Sequence, residues 1–212
     1  MNEISPIQPK RAPNDDRRAA IAKAARELIV EKGVEGLRTR DIADRVGINV
    51  ATLHYHVPTK DALIELVAES LQQQFRDQHI TRPRRHLSVS ERMDLEFVDF
   101  REVALERPEA MLVFSELVER ARRDERIAEA ILPLKRKWRQ TLVELLKEGI
   151  EEGVFRPDID VESCATIIVS SMVGFCRNTV KDPDTYERLA AELQRAIRNP
   201  NASDTAFLPK KD

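Results

Sequence analysis

In the stretch GINVATLHYHVPTKDALI, residues 47–64, stand two of the chain's four histidines, His54 and His56, with Tyr55 between them. Two imidazoles so placed could clip a metal ion, relay a proton, or present rings and hydrogen-bonding groups to another surface. Local geometry separates these readings. Asn49 is a helix-capping residue type and Pro58 stops a helix, so Val50–His56 reads as one short helical rod. Residues two apart on a helix are rotated by about 200°, which sends His54 and His56 to opposite sides and denies them a shared ion. His79 and His86 stand alone in polar surroundings, and no metal site is expected. No glycine-rich phosphate loop, nucleophile elbow, zinc signature or cofactor fingerprint is visible. Carboxylate pairs such as Glu151-Glu152 end a charged helix. Neither an enzyme nor a bound cofactor is expected.

The elements that must hold this rod are legible from periodicity and caps. A first helix is expected over 16–32, with Ile21, Ala24, Ala25, Leu28 and Ile29 on one face and Gly33 as its C-cap. Thr39 is read as the N-cap of a second helix that carries Ile42, Ala43 and Val46 inward and closes at Gly47. Thr59 can cap a fourth helix with Leu63, Val67, Leu71 and Phe75 at four-residue intervals. Beyond a basic connection at 80–88, read as a solvated loop with Arg82, Arg84 and Arg85, come helices near 90–106, 109–123, 126–152, 161–180 and 183–198. Pro133 should kink or restart the third of these. The runs 120–123 and 135–139 read as solvated basic faces. The expected fold is therefore all-α with about nine helices.

Composition agrees. Of 212 residues, 42% are hydrophobic, 34% charged and only 5% aromatic, with six glycines, a helical leaning. Cys164 and Cys176, twelve residues apart on one predicted helix, lie roughly 18 Å from each other and cannot pair within the chain. No run approaches the roughly 20 apolar residues of a membrane span, and the first twenty residues lack the apolar core of a secretion signal. A reduced cytoplasm is the expected location. Residues 1–64 hold eleven Lys/Arg against nine Asp/Glu, a net +2, and the rest 24 against 28, a net −4, within the chain's −2. The first part could face a polyanion and the second would not.

With Ile42, Val46, Ile48 and Leu53 turned inward and Gly47 between the helices, the segment reads as a helix-turn-helix. Its second helix then leaves Asn49, Val50, Thr52, His54 and Tyr55 on an outer face that is uncharged and rich in hydrogen-bonding and methyl groups. Such a surface suits the DNA major groove, where base edges offer donors, acceptors and the thymine methyl. Thr39 and Lys60 can hold phosphates at helix starts, and Arg40 can reach a guanine edge or a phosphate. Other readings stand beside this one: His56 as packing against the first helix, Tyr55 as a partly exposed core residue, and a two-helix turn that binds no DNA. That last reading accounts for Ala43 and Gly47, and less well for His54 and Tyr55 on one exposed face flanked by Arg40 and Lys60. Lys10 and Arg11 belong to an arm that either enters a minor groove or has no DNA role.

From 17 to 64 the chain resembles the TetR family of bacterial transcriptional regulators, the run AARELIVEKGVEGLRTRDIADRVGINVATLHYHVPTKDALI holding that family's elements in order and without gaps. The resemblance implies that Val50–His56 is the recognition helix. Val50, Ala51, Thr52, His54 and Tyr55 would then approach bases or adjacent phosphates, with His56 closing the same helix. Two positions depart from the family pattern: His54 where Tyr is common, and Val57 where an aromatic is common. The resemblance also implies an all-helical second domain that dimerises through its last two helices and encloses a small-molecule pocket. The helix at 161–180 permits close approach at Ser170, Ser171 and Gly174, and the last helix offers Tyr186, Leu189, Leu193 and Ile197 along one stripe. Phe97, Phe100, Arg101, Met111, Phe114 and Trp138 are pocket candidates, bulky apolar groups near one cation.

The expected organisation is an arm at 1–14, a DNA-binding domain at 15–64, an effector-binding and dimerisation domain at 65–198, and a tail at 199–212. The expected function is a homodimeric repressor that binds a near-palindromic DNA operator and is released by a small-molecule effector. A helical ligand carrier or adaptor that has lost DNA binding is the alternative.

Overall fold

The computed structural model describes residues 13–178 and 182–202. Nine α-helices are present among them: α1 Pro13–Lys32, α2 Thr39–Val46, α3 Val50–His56, α4 Lys60–Thr81, α5 Val89–Arg101, α6 Pro108–Arg120, α7 Glu125–Glu151, α8 Val161–Cys176 and α9 Pro183–Ile197. A π-helical segment, Glu102–Glu106, extends α5. The arm residues 1–12, with Lys10 and Arg11, and the tail residues 203–212 lie outside the described residues. Among the described residues, no helix is long and apolar enough to cross a membrane.

Capping chemistry sets most of the helix starts. Asn49 Oδ1 accepts from the Thr52 N–H at 2.7 Å, and Thr59 Oγ1 accepts from the Ala62 N–H at 3.1 Å. Ser88 and Glu91 form a reciprocal capping box on α5, and Asp124, Asp160 and Asp182 cap α7, α8 and α9. Gly33 and Gly47 stop α1 and α2 with φ of +69° and +73°, a region that glycine enters without strain. Thr39 is not the N-cap of α2. The extended residue there is Arg38, and Thr39 is already helical, so its hydroxyl is not placed to cap the start.

Pro133 neither ends nor restarts α7, which runs unbroken from Glu125 to Glu151. Pro133 and Glu129, whose carbonyl loses its intrahelical partner, are both solvent-exposed, so water can serve the freed oxygen. The helix expected over 90–106 instead changes pitch after Arg101. The Arg107 N–H reaches back five residues to the Glu102 carbonyl at 3.1 Å.

One continuous core joins the two parts of the chain. Its hinge piece is α4, which buries Leu63, Ile64, Leu66, Val67, Ala68 and Leu71 and packs against α1, α6 and α7 at once. On α9, Tyr186, Leu193 and Ile197 turn into the chain's own core, and the Tyr186 hydroxyl donates to the Phe97 carbonyl at 2.6 Å. That stripe therefore supports the core and is not available to a partner subunit.

After α7 the chain doubles back, and the Phe155 ring seats on Gly149: a Cβ there would stand 2.1 Å from the ring. Gly149→Ala should lower stability by about 1–3 kcal/mol through overpacking. The same change in an open helix position would be stabilising by about 0.5–1 kcal/mol. Urea denaturation reads the sign.

Candidate nucleic-acid interface and effector cavity

The helix-turn-helix is built inward from Ile42, Ala43 and Leu53, all buried, with Val46, Ile48 and Val50 packed partly against them. Asn49, Ala51, His54 and Tyr55 are left exposed, the Tyr55 ring to 83%. Val50, Thr52 and His56 are half-buried. The His56 ring meets Tyr55 edge-on at 5.3 Å, and the His56 carbonyl accepts from the Arg18 guanidinium at 3.1 Å, which ties the end of α3 to α1. Val57 is buried, so the position that departs from the family's aromatic serves the core.

Neighbouring charges are sorted by pairing. Arg45 forms a two-point bridge to Glu31 at 2.7 and 2.9 Å, and Lys32 meets Asp41 at 2.8 Å. Arg40, at the start of α2, and Lys60, at the start of α4, are exposed and have no carboxylate partner among the described residues. Thr39 is half-buried beside Arg40. An uncharged, hydrogen-bonding helix face with uncommitted cations on the two flanking helices can read base edges while its flanks hold phosphates.

A cavity of about 160 Å³ lies among α4, α5, its π extension, α6 and α7. Phe100, Met111, Phe114 and Trp138 line it, together with Phe75, Val103 and Leu134. Phe97 and Arg101 do not. Phe97 is buried with its carbonyl taken by Tyr186, and Arg101 turns outward to Glu187 at 2.7 Å, its position on α5 lying about 100° around the axis from Phe100. Polar lining residues include His79, Glu96, Asp99 and Lys137, none of them singled out by sequence.

Glu96 and Asp99 are the two buried charged residues among those described, and the connection between α4 and α5 exists to neutralise them. Arg84 bridges Glu96 at 2.5 Å and also pairs with Asp99; Arg82 pairs with Asp99 and with Glu102 at 2.8 Å. Arg107 pairs with Glu102 too. Arg82 and Arg84 are thus not the solvated loop expected, because two carboxylates on the buried stripe of α5 require fixed cations. That stripe was the available signal: Glu96 and Asp99 fall in register with Val89, Met93 and Phe100. Burial pushes the Glu96 carboxyl above the usual carboxylate range, opposed by Arg84 and the Trp138 indole N–H. Burial and then the positive Arg84 hold the His79 imidazole below the usual histidine range. In the runs read as solvated basic faces, Arg120 pairs with Glu35 and Arg139 with Glu162.

The cavity and the helix-turn-helix share walls. Phe114 of α6 lines the cavity, and two residues on, Glu116 accepts from the Val34 N–H at 3.5 Å in the turn between α1 and α2. Arg120 of α6 pairs with Glu35 of the same turn, and Arg126 of α7 pairs with Asp61 in the first turn of α4.

Comparison with known proteins agrees with this geometry. Residues 21–67 match the family model for bacterial regulatory proteins of the tetR family, and residues 100–199 match the C-terminal model of BetI-type transcriptional repressors. The HTH-type transcriptional repressor KstR2 of Mycobacterium tuberculosis is 27% identical over 152 residues, covering 70% of this chain and 74% of that one. The class D tetracycline repressor of Escherichia coli is 43% identical over 51 residues, 24% of this chain and 23% of its own. Among solved structures, a TetR-family regulator from Agrobacterium tumefaciens superposes with a TM-score of 0.76 at 18% identity, over 87% of this chain and 99% of its own. A regulator from Saccharomonospora viridis in complex with choline gives 0.70 at 25% identity, over 85% and 95%. The fold and site together define a DNA-binding helix-turn-helix transcription regulator. The chain belongs to the tetR family of bacterial regulatory proteins.

Removing the Arg84 charge leaves buried carboxylates without their shared partner. Arg84→Met should lose about 3–5 kcal/mol of stability in urea unfolding, whereas exposed Arg85→Met should stay within about 0.5 kcal/mol.

Proposed function

We propose that the protein is a homodimeric repressor whose paired α3 helices enter successive major grooves of a near-palindromic operator, and that a small molecule in the α4–α7 cavity releases it. The observation that carries this reading is the exposed, uncharged face of Asn49, Ala51, His54 and Tyr55, flanked by the uncommitted cations Arg40 and Lys60. Two such faces about 34 Å apart would span one turn of B-form DNA. Thr39 and Lys60 serve phosphates, Arg40 a phosphate or a guanine edge, and Val50, Thr52, His54 and Tyr55 the bases or the adjoining backbone; Asn49 and His56 hold the two ends of the rod.

The partner subunit is met through α8 with support from α9. Ile167 is 58% exposed, Ser170 and Gly174 follow it at helical spacing, and a Cβ on Gly174 would touch nothing within 4 Å in its own protomer. Small exposed residues beside an exposed isoleucine suit close packing of a second helix. An effector acts by favouring one spacing of the two α3 helices, and it weakens DNA binding by its preference for that spacing. Contacts from α6 and α7 to Val34, Glu35 and Asp61 offer the route from cavity to DNA face.

Fluorescence anisotropy with the DNA upstream of the protein's own gene tests the interface. Lys60→Ala should lower the slope of log affinity against log salt by about 0.9 per protomer, while His54→Ala should cost about 1–3 kcal/mol on the preferred sequence and leave that slope alone. An unchanged affinity after joint truncation of His54, Tyr55 and Lys60 to alanine would remove the recognition assignment. Ile167→Glu should give monomers by light scattering and lose the palindromic complex; a persistent dimer would place the interface elsewhere.

A further inference from the structure

We infer that the cavity is built for a small aryl or branched-alkyl carboxylate, its ring or branch held by the apolar walls and its anionic head by Lys137 and Arg76. The inference rests on the cavity being the effector site and adds the chemistry of the effector.

Size comes first. About 160 Å³ is close to the roughly 150 Å³ of an engineered apolar cavity that takes up benzene, so one ring or a branched chain of similar bulk fits. The walls suit such a group: Phe75, Val103, Met111, Phe114 and Leu134 contribute no charge.

Charge selects the head. Glu96 and Asp99 reach the lining already matched by Arg84 and Arg82. Those carboxylates are already ion-paired. Lys137 and Arg76 line the same space with no carboxylate partner among the described residues. Arg76 donates only to the neutral Gln73 side chain, at 3.0 Å. His79 is kept neutral by its surroundings and can still hydrogen-bond to the head. The uncompensated charge at the lining is positive.

Aromatic geometry disfavours the opposite choice. A quaternary ammonium needs open ring faces. Phe100 stacks with Trp138, at 5.5 Å and 10°, and with Tyr186, at 6.1 Å and 21°, so these rings are engaged with one another. Phe75 and Phe114 meet edge to face.

Trp138 is the chain's one tryptophan and lines the cavity, so its fluorescence reports occupancy directly. The full-length protein is titrated with benzoate, with benzamide as the neutral isostere, and with choline. Benzoate should bind about tenfold tighter than benzamide, the worth of one hydrogen bond to a charged group. The double variant Lys137→Met with Arg76→Met should abolish that preference. Equal binding of benzoate and benzamide, tighter binding of choline, no binding of any of the three, or a preference that survives the double variant would each overturn the inference. Operator release is measured separately: a charge-dependent benzoate complex that stays on DNA upholds the carboxylate chemistry and removes the effector reading of the cavity.

Discussion

Everything in this molecule depends on α4 satisfying three packing partners with one run of side chains. Leu63, Ile64, Leu66, Val67, Ala68 and Leu71 cover too much of the helix circumference to serve a single neighbour, and they are shared among α1, α6 and α7. The helix-turn-helix therefore has no closed core of its own. Close-packed interiors shift between discrete arrangements and do not deform smoothly, and α4 runs in one piece from Lys60 to Phe75 and His79 at the cavity.

Charge follows a second constraint. Glu96 and Asp99, the two buried carboxylates among the described residues, are each met by a guanidinium from the connection between α4 and α5. Cations around α3 are treated differently. Arg45 and Lys32 are matched by Glu31 and Asp41, while Arg40 and Lys60 are not. A cation committed to a near carboxylate contributes little to a phosphate, so the pairing pattern narrows the phosphate contacts further than the count of basic residues does.

Much of the fold was legible in advance because its signals are local. Asn49, Thr59, Asp160 and Asp182 cap the helices they were expected to cap, and the bounds of α3 follow from Asn49 and the stop before Pro58. The errors share one cause. Thr39, Pro133 and the π segment after Arg101 were judged by residue type, whereas the outcome was set by which neighbour or solvent could serve the backbone groups concerned. At the cavity, Phe100, Met111, Phe114 and Trp138 fall on the lining and Phe97 and Arg101 fall off it. Helical spacing says that a residue is apolar and turned inward; it does not say toward which neighbour.

By itself the sequence determined the class of fold, the helix-turn-helix and the exposure of Asn49, His54 and Tyr55 on it, since periodicity, caps and turn glycines act over a few residues, whereas Val50 and Thr52, expected on the same face, are half-buried. Tertiary structure alone decided that Arg82 and Arg84 are folded against α5, that Tyr186, Leu193 and Ile197 look inward, and that Lys137 and His79 share a cavity with Phe75 and Phe114. These are meetings between residues that lie on different helices, up to dozens of positions apart. They depend on how each helix is rotated and seated against its neighbours, and burial free energy, which depends on area and not on direction, leaves that rotation to be chosen by packing and by the pairing of buried charge.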